Sequence, residues 1–203
     1  MNAHDLALTG VGDSPPGADV VGANLRRVRQ AGDLSLKAAA ARTSVSSATL
    51  SRIENGLMSP TFDVMIRICE GFGISITDLV DPRPASTEIL RIAEIPLGTG
   101  RRVETPQYRF EFLSEDRRGV PFLTLRADVL CRSMAEFGPM HAHAGWEQII
   151  VQSGSIEVRI AQQAPRRLSV GDMLAFDSQL EHAVIAPAGK ASILWIYAAT
   201  GGV

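Results

Sequence analysis

Apolar positions recur at helical spacing through the first eighty residues and at strand spacing through the last hundred. Val21, Leu25 and Val28 fall three and four apart, with Arg26, Arg27 and Arg29 between them, which predicts a helix from Val20 to Ala31 that Gly32 stops. Ser35 and Ser46 are good N-cap residues, each followed by a run free of Gly and Pro, so two short helices should meet at a turn over Arg42-Thr43-Ser44-Val45. In the second of these, Val45, Leu50 and Ile53 supply the apolar contacts, while Ser47, Ala48, Thr49, Ser51 and Arg52 fall on the opposite face. A fourth helix is predicted from Thr61 to Phe72. Thr61 caps it, Asp63 suits its positive end, and Val64, Met65, Ile68 and Cys69 form its apolar stripe. Gly71 and Gly73 close it, and Ile74 to Leu79, capped by Ser75, makes a fifth.

Asp81-Pro82-Arg83-Pro84 cannot continue a helix, so 81–100 reads as a linker and lead-in strand. Beyond it the period changes. Ile89–Ile95, Tyr108–Leu113, Phe122–Leu130, Glu147–Val151, Ile156–Ile160, Met173–Phe176 and Ala191–Tyr197 are short, rich in β-branched and aromatic residues, and bounded by turn residues. The expectation is an α domain over 20–80 followed by an antiparallel β sandwich or small barrel over 101–203. Met1 to Asp19, rich in Gly, Pro and Asp, reads as a flexible tail.

Composition adds bounds. The chain has 203 residues, 45% hydrophobic and 21% charged, enough for two modest soluble domains. No apolar run approaches the ~20 residues that span a bilayer, and the N-terminus lacks the basic-then-apolar order of a signal peptide, so a cytoplasmic protein without a membrane partner is expected. Cys69 and Cys131 make no CxxC pair and suggest neither disulfide nor cysteine zinc site. The net charge of −2 hides an asymmetry: between Gly22 and Gly56 stand six cations, Arg26, Arg27, Arg29, Lys37, Arg42 and Arg52, against Asp33 and Glu54. A compact positive face on a near-neutral chain fits salt-sensitive binding of double-stranded DNA, with a homodimer on paired half-sites supplying specificity.

Two groups of residues carry candidate chemistry. The small, polar face of the second turn helix, ending in Arg52, suits entry into a major groove, where an Arg can pair with guanine. In the β domain, His141-x-His143-x-x-x-Glu147 puts two imidazoles on one side of an extended segment with a carboxylate close behind, and His182 follows the Ser169-Val170-Gly171-Asp172 turn. Three neutral imidazoles and a carboxylate suit a divalent transition metal with open positions, zinc first, with nickel, manganese and iron as alternatives. Ile149 and Val151 alternate onto the side of Glu147, and Arg126, Arg132, Tyr108 and Trp146 are candidates to orient a ligand. Arg166-Arg167 reads as a solvated pair in a turn.

The run Thr49-Leu50-Ser51-Arg52-Ile53-Glu54-Asn55-Gly56, followed by Met58-Ser59-Pro60-Thr61, resembles the phage repressor/Cro type of helix-turn-helix, the XRE family, over roughly Val21 to Val80. That resemblance implies a five-helix lambda-repressor-like DNA-binding domain in which Ser46, Ser47, Ala48, Thr49 and Arg52 read DNA and Arg29 pairs with Glu54. Ser44 stands where the family often has Gly, so a left-handed backbone there would be strained. His141, His143, Glu147, Gly154, Gly171 and His182 resemble the two cupin motifs, with Ala135, Asp177, Gln179 and Ala186 departing from them. The cupin resemblance covers roughly Arg101 to Ala199 and implies a jelly-roll β-barrel with a central pocket.

Together these readings predict a DNA-binding transcriptional regulator without enzymatic activity. Arg26, Arg27 and Lys37 would contact phosphates of a near-palindromic operator, and the cupin would sense a small-molecule effector through its metal. The alternative is a metal-dependent cupin oxygenase or isomerase that uses the helical domain for dimerisation or targeting.

Overall fold

The computed structural model describes residues 18–81, 94–96, 98–113 and 122–199. The expected tail through residue 17, most of the linker and most of the Ile89–Ile95 strand lie outside them. Five helices come first: α1 (Ala18–Ala31), α2 (Leu36–Thr43), α3 (Ser47–Glu54), α4 (Phe62–Phe72) and α5 (Ile76–Val80). Each predicted cap is made by its own side chain. Ser35, Ser46, Thr61 and Ser75 accept from the backbone N–H of Ala38, Thr49, Val64 and Asp78, and Ser75 with Asp78 forms a reciprocal capping box. Ser44 ends α2 at φ 54°, ψ 25°, the left-handed conformation that costs an L-residue strain. Val21, Leu25, Leu50, Ile53, Met65, Ile68 and Leu79, all fully buried, form the helical core.

The second half is antiparallel throughout. Strands β1 (Arg101–Glu104), β2 (Tyr108–Phe112), β3 (Leu123–Val129), β4 (Trp146–Ser153), β5 (Ser155–Ile160), β6 (Arg166–Ser169), β7 (Met173–Asp177), β8 (His182–Ile185) and β9 (Ala191–Ala198) form two sheets, with a one-turn helix α6 (Met134–Phe137) after β3. One sheet runs β1-β2-β3-β9-β4-β7 and the other β6-β5-β8. Alternation decides what each strand buries: along β9 every second residue, Ala191, Ile193, Trp195 and Tyr197, faces inward. Among the described residues the two sheets form an open cup rather than one closed hydrogen-bonded barrel. Arg166 and Arg167, expected in a turn, lie in edge strand β6 opposite Val158 and Glu157; the edge position leaves both side chains in water.

The two halves touch where the first turn of α4 meets the mouth of the cup. Ser59 Oγ donates to the Glu104 carbonyl (2.7 Å), and the Phe62 ring, 4% exposed, sits among rings of the β domain. Its centroid lies 5.3 Å from Phe110, 5.8 Å from Trp195, 6.0 Å from His143 and 6.3 Å from Tyr197.

Candidate metal centre and nucleic-acid interface

The base of the cup gathers His143, Glu147 and His182, whose nearest ligand atoms all lie within 4.8 Å of one another. Glu147 is on the inner face of β4, and His182 opens β8. His143 precedes β4 in a segment held by its backbone N–H donating to the Ser178 carbonyl. His143 Nε2 is 2.9 Å from Glu147 Oε1, and His182 Nε2 is 3.5 Å from Glu147 Oε2. Despite these distances, His143 Nε2 and both Glu147 oxygens are buried without a hydrogen bond of acceptable geometry. The other ring nitrogens explain why. His143 Nδ1 faces the Ala144 carbonyl at 3.2 Å and His182 Nδ1 faces the Leu180 carbonyl at 2.8 Å. A carbonyl can only accept, so each Nδ1 carries the proton and each Nε2 turns a lone pair toward the carboxylate.

Lone pairs facing a carboxylate in a buried site repel unless a cation lies between them. A proton can take that place: burial works against charge on His143, but a proton on Nε2 would face the Glu147 carboxylate 2.9 Å away, and the pKa is raised. A divalent metal fits better, because it satisfies all three groups together. Zinc bonds of ~2.0–2.1 Å to N and O place tetrahedral ligand atoms roughly 3.3 Å apart, close to the separations present.

His141 is not in this cluster. Its ring packs beside Phe137 and its Nδ1 lies 3.6 Å from Asp63 Oδ2, on α4. The four-ligand expectation assumed strand alternation through 141–147, but 141–145 is irregular, with His141 making only an isolated bridge to His182. Burial lowers the His141 pKa, with Asp63 opposing it.

Of the expected pocket residues, Tyr108 lines the cup and donates from its hydroxyl to the Val184 carbonyl at 3.3 Å; burial pushes its pKa well up. Ile149 and Val151 are buried on the inner face of β4. Three others are corrected. Trp146, next to Glu147 in a strand, points out and is 55% exposed. Arg126 alternates with buried Leu125 and Ala127, so it faces outward, with its Nη1 2.6 Å from Glu111 Oε2. Arg132 is exposed in the loop before α6. Sequence reasoning missed Gln107, Phe137 and Trp195, and Phe62 and Asp63 from the other domain. Trp195 was readable as an inward residue of β9, whereas nothing local marks Phe62.

In the helical domain Ser46, Ser47, Ala48 and Arg52 are exposed and Thr49 is half-buried. They lie along α3 and its cap, while Leu50 and Ile53 seal the helix to the core. Arg29 grips Glu54 with Nε to Oε1 at 2.7 Å and Nη2 to Oε2 at 2.8 Å, and its Nη1 donates to the Leu34 carbonyl at 2.8 Å. This fork fixes the end of α3 against α1. Lys37 and Arg27 are exposed; Arg26 is also exposed but bonds Asn55 Oδ1 at 2.7 Å, so it braces the end of α3 as well.

Comparison with known proteins agrees with both halves. Residues 25–79 match the helix-turn-helix family model and residues 134–197 match the cupin domain model. Among solved structures, a helix-turn-helix family transcriptional regulator from Vibrio cholerae is similar over 90% of this chain and 96% of its own, at 24% identity and a TM-score of 0.64. Hydroxypropylphosphonic acid epoxidase from S. wedmorenis aligns over 92% of this chain and 100% of its own at 20% identity, with a TM-score of 0.49. No curated protein matches the chain. The fold and the site define a two-domain protein with a groove-reading head and a β cup. Its first half carries a helix-turn-helix domain of the XRE type and its second a cupin domain, a combination that supports a DNA-binding regulator.

Proposed function

We propose that this chain regulates transcription by binding a near-palindromic operator as a homodimer, and that its cupin senses a small metabolite through a divalent metal held by His143, Glu147 and His182. The observation that carries the metal is the pair of Nε2 atoms set 2.9 and 3.5 Å from a buried carboxylate that has no hydrogen-bond partner. The exposed small polar face of α3 supports the reading head. It leaves Ser47, Ala48 and Arg52 clear to approach base edges, and Lys37 on α2 and Arg27 on α1 are exposed candidates for phosphates. Zinc is the first expectation for the metal. A DNA partner implies a cytoplasmic location; among the described residues no helix is long and apolar enough to cross a membrane.

Elemental analysis of freshly purified protein and of His143→Ala tests the centre: bound zinc, nickel, manganese or iron in the parent, lost in the variant, is expected. Selection of operators from a random DNA pool, repeated with Arg52→Ala, tests the head. Unchanged discrimination in that variant would show the reading residues to be misassigned.

A further inference from the structure

The space left in the cup is about 20 Å³, bounded by Thr61, Phe62 and Asp63 of the DNA-binding domain on one side and by the imidazoles on the other. Roughly one water needs that much room, whereas small-molecule pockets run to about 300–1,000 Å³. What fills the cup is the phenyl ring of Phe62, edge-on to His143 and Tyr197 and tilted against Phe110 and Trp195. Resting on the sensing function proposed above, we infer that Phe62 is a built-in occupant of the cup. A metabolite enters only by expelling it, and helix α4 carries that displacement to the helix-turn-helix turn.

The path is continuous. Asp63, next to Phe62, has Oδ2 3.6 Å from His141 Nδ1 and accepts from Arg67 Nη2 at 2.8 Å; Arg67 Nη1 donates to the Ser44 carbonyl at 3.1 Å. Ser44 is the left-handed residue between α2 and α3, two positions before the cap of the recognition helix. Asp63 Oδ1 and Arg67 Nε are buried without partners, so the present arrangement leaves polar groups unsatisfied that another could satisfy. Packing adds a second link, because a Cβ at Gly71 would come within 2.7 Å of the Arg42 carbonyl oxygen and Thr43 Cα. The last turn of α4 is thus packed against the backbone at the end of α2, so a rigid tilt of α4 that starts at Phe62 presses on that turn. Because the effector binds the arrangement with Phe62 out, it shifts the protein toward that arrangement, and operator affinity changes only as far as DNA discriminates between the two.

The ring that is displaced also describes its replacement. A flat, ring-sized acid fits: its ring takes the aromatic walls and its carboxylate reaches the metal that the imidazoles would hold. Trp195 Nε1 and Gln107 Oε1, buried without partners, offer one further donor and one acceptor.

Benzoate is the probe. Its affinity is measured by calorimetry on the full-length parent and on Phe62→Ala, with zinc content recorded for both, and hydrogen exchange is followed in the parent with and without saturating benzoate. The variant should bind at least tenfold more tightly than the parent, and benzoate should raise exchange in the parent over 43–54 as well as in α4. Equal affinities, binding to neither chain, or an exchange change confined to the β strands overturns the inference. The exchange arm needs no variant, so a misfolded Phe62→Ala leaves the test standing. Zinc absent while α4 is displaced removes the metal centre alone; zinc present with α4 undisturbed removes the coupling alone.

Discussion

The reading head and the cup solve opposite problems with residues of similar polarity. Along α3 the candidate reading side chains lie within seven consecutive positions, Ser46 to Arg52, and all but the half-buried Thr49 face water. In the cup they come from positions 143, 147 and 182, face inward, and are each at most 6% exposed. An exposed polar residue is satisfied by solvent whether or not its partner is present, so the head constrains the fold little. A buried carboxylate flanked by lone pairs has no such reserve, and the cup is completed only by a cation. Substitutions should therefore separate recognition from stability in the head and merge ligand binding with stability in the cup.

The largest effect expected is at the head's support rather than its reading face. Arg29→Ala takes the fork from Glu54, whose side chain is 3% exposed, leaving Arg26 Nε 3.5 Å away as its remaining cation, and should cost up to about 3 kcal/mol in chemical denaturation, the low end for a broken buried pair. Next comes the centre. His143→Ala should abolish bound zinc, a loss beyond the ~10–100-fold that removing an outer partner of a metal ligand costs, read by elemental analysis.

The raised pKa of His143 gives this centre a pH signature. A proton competes for the same lone pair, so zinc affinity should fall as pH drops below that raised value, followed by competition with a chromogenic chelator. In metal-free protein the sign reverses. The His143–Glu147 pair stabilises fully below the ordinary imidazole value near 6.5, and its contribution is lost as pH rises through the raised one. Arg52→Ala should then lose ~1–3 kcal/mol of operator discrimination while thermal stability stays within ~0.5 kcal/mol of the parent. Ser44→Gly should be the smallest, a gain of up to ~1 kcal/mol in thermal unfolding from relieving the left-handed backbone, less the added flexibility of Gly.

The same contrast explains what could be read from sequence. Helix caps, the α3 face and the Ser44 strain are local, set by residues within a few positions of each other, and they stand out in the chain. Glu147 and its inward neighbours Ile149 and Val151 follow from alternation, and that rule, applied consistently, would also have turned Trp146 and Arg126 outward. His141 failed because alternation was applied to a segment that is not a strand. Phe62 and Asp63 were out of reach for a different reason: each reads as an ordinary first-turn helix residue, and only the docking of one domain on the other gives them a role.

The two Nδ1 pins of the centre are both main-chain carbonyls, Ala144 and Leu180. Side-chain pins can be exchanged one codon at a time to retune a metal's affinity; these cannot, since every amino acid presents the same oxygen. A side-chain change at 144 or 180 therefore keeps the carbonyl that orients each ring, and retuning a metal held there would fall to the ligands or to movement of the loops.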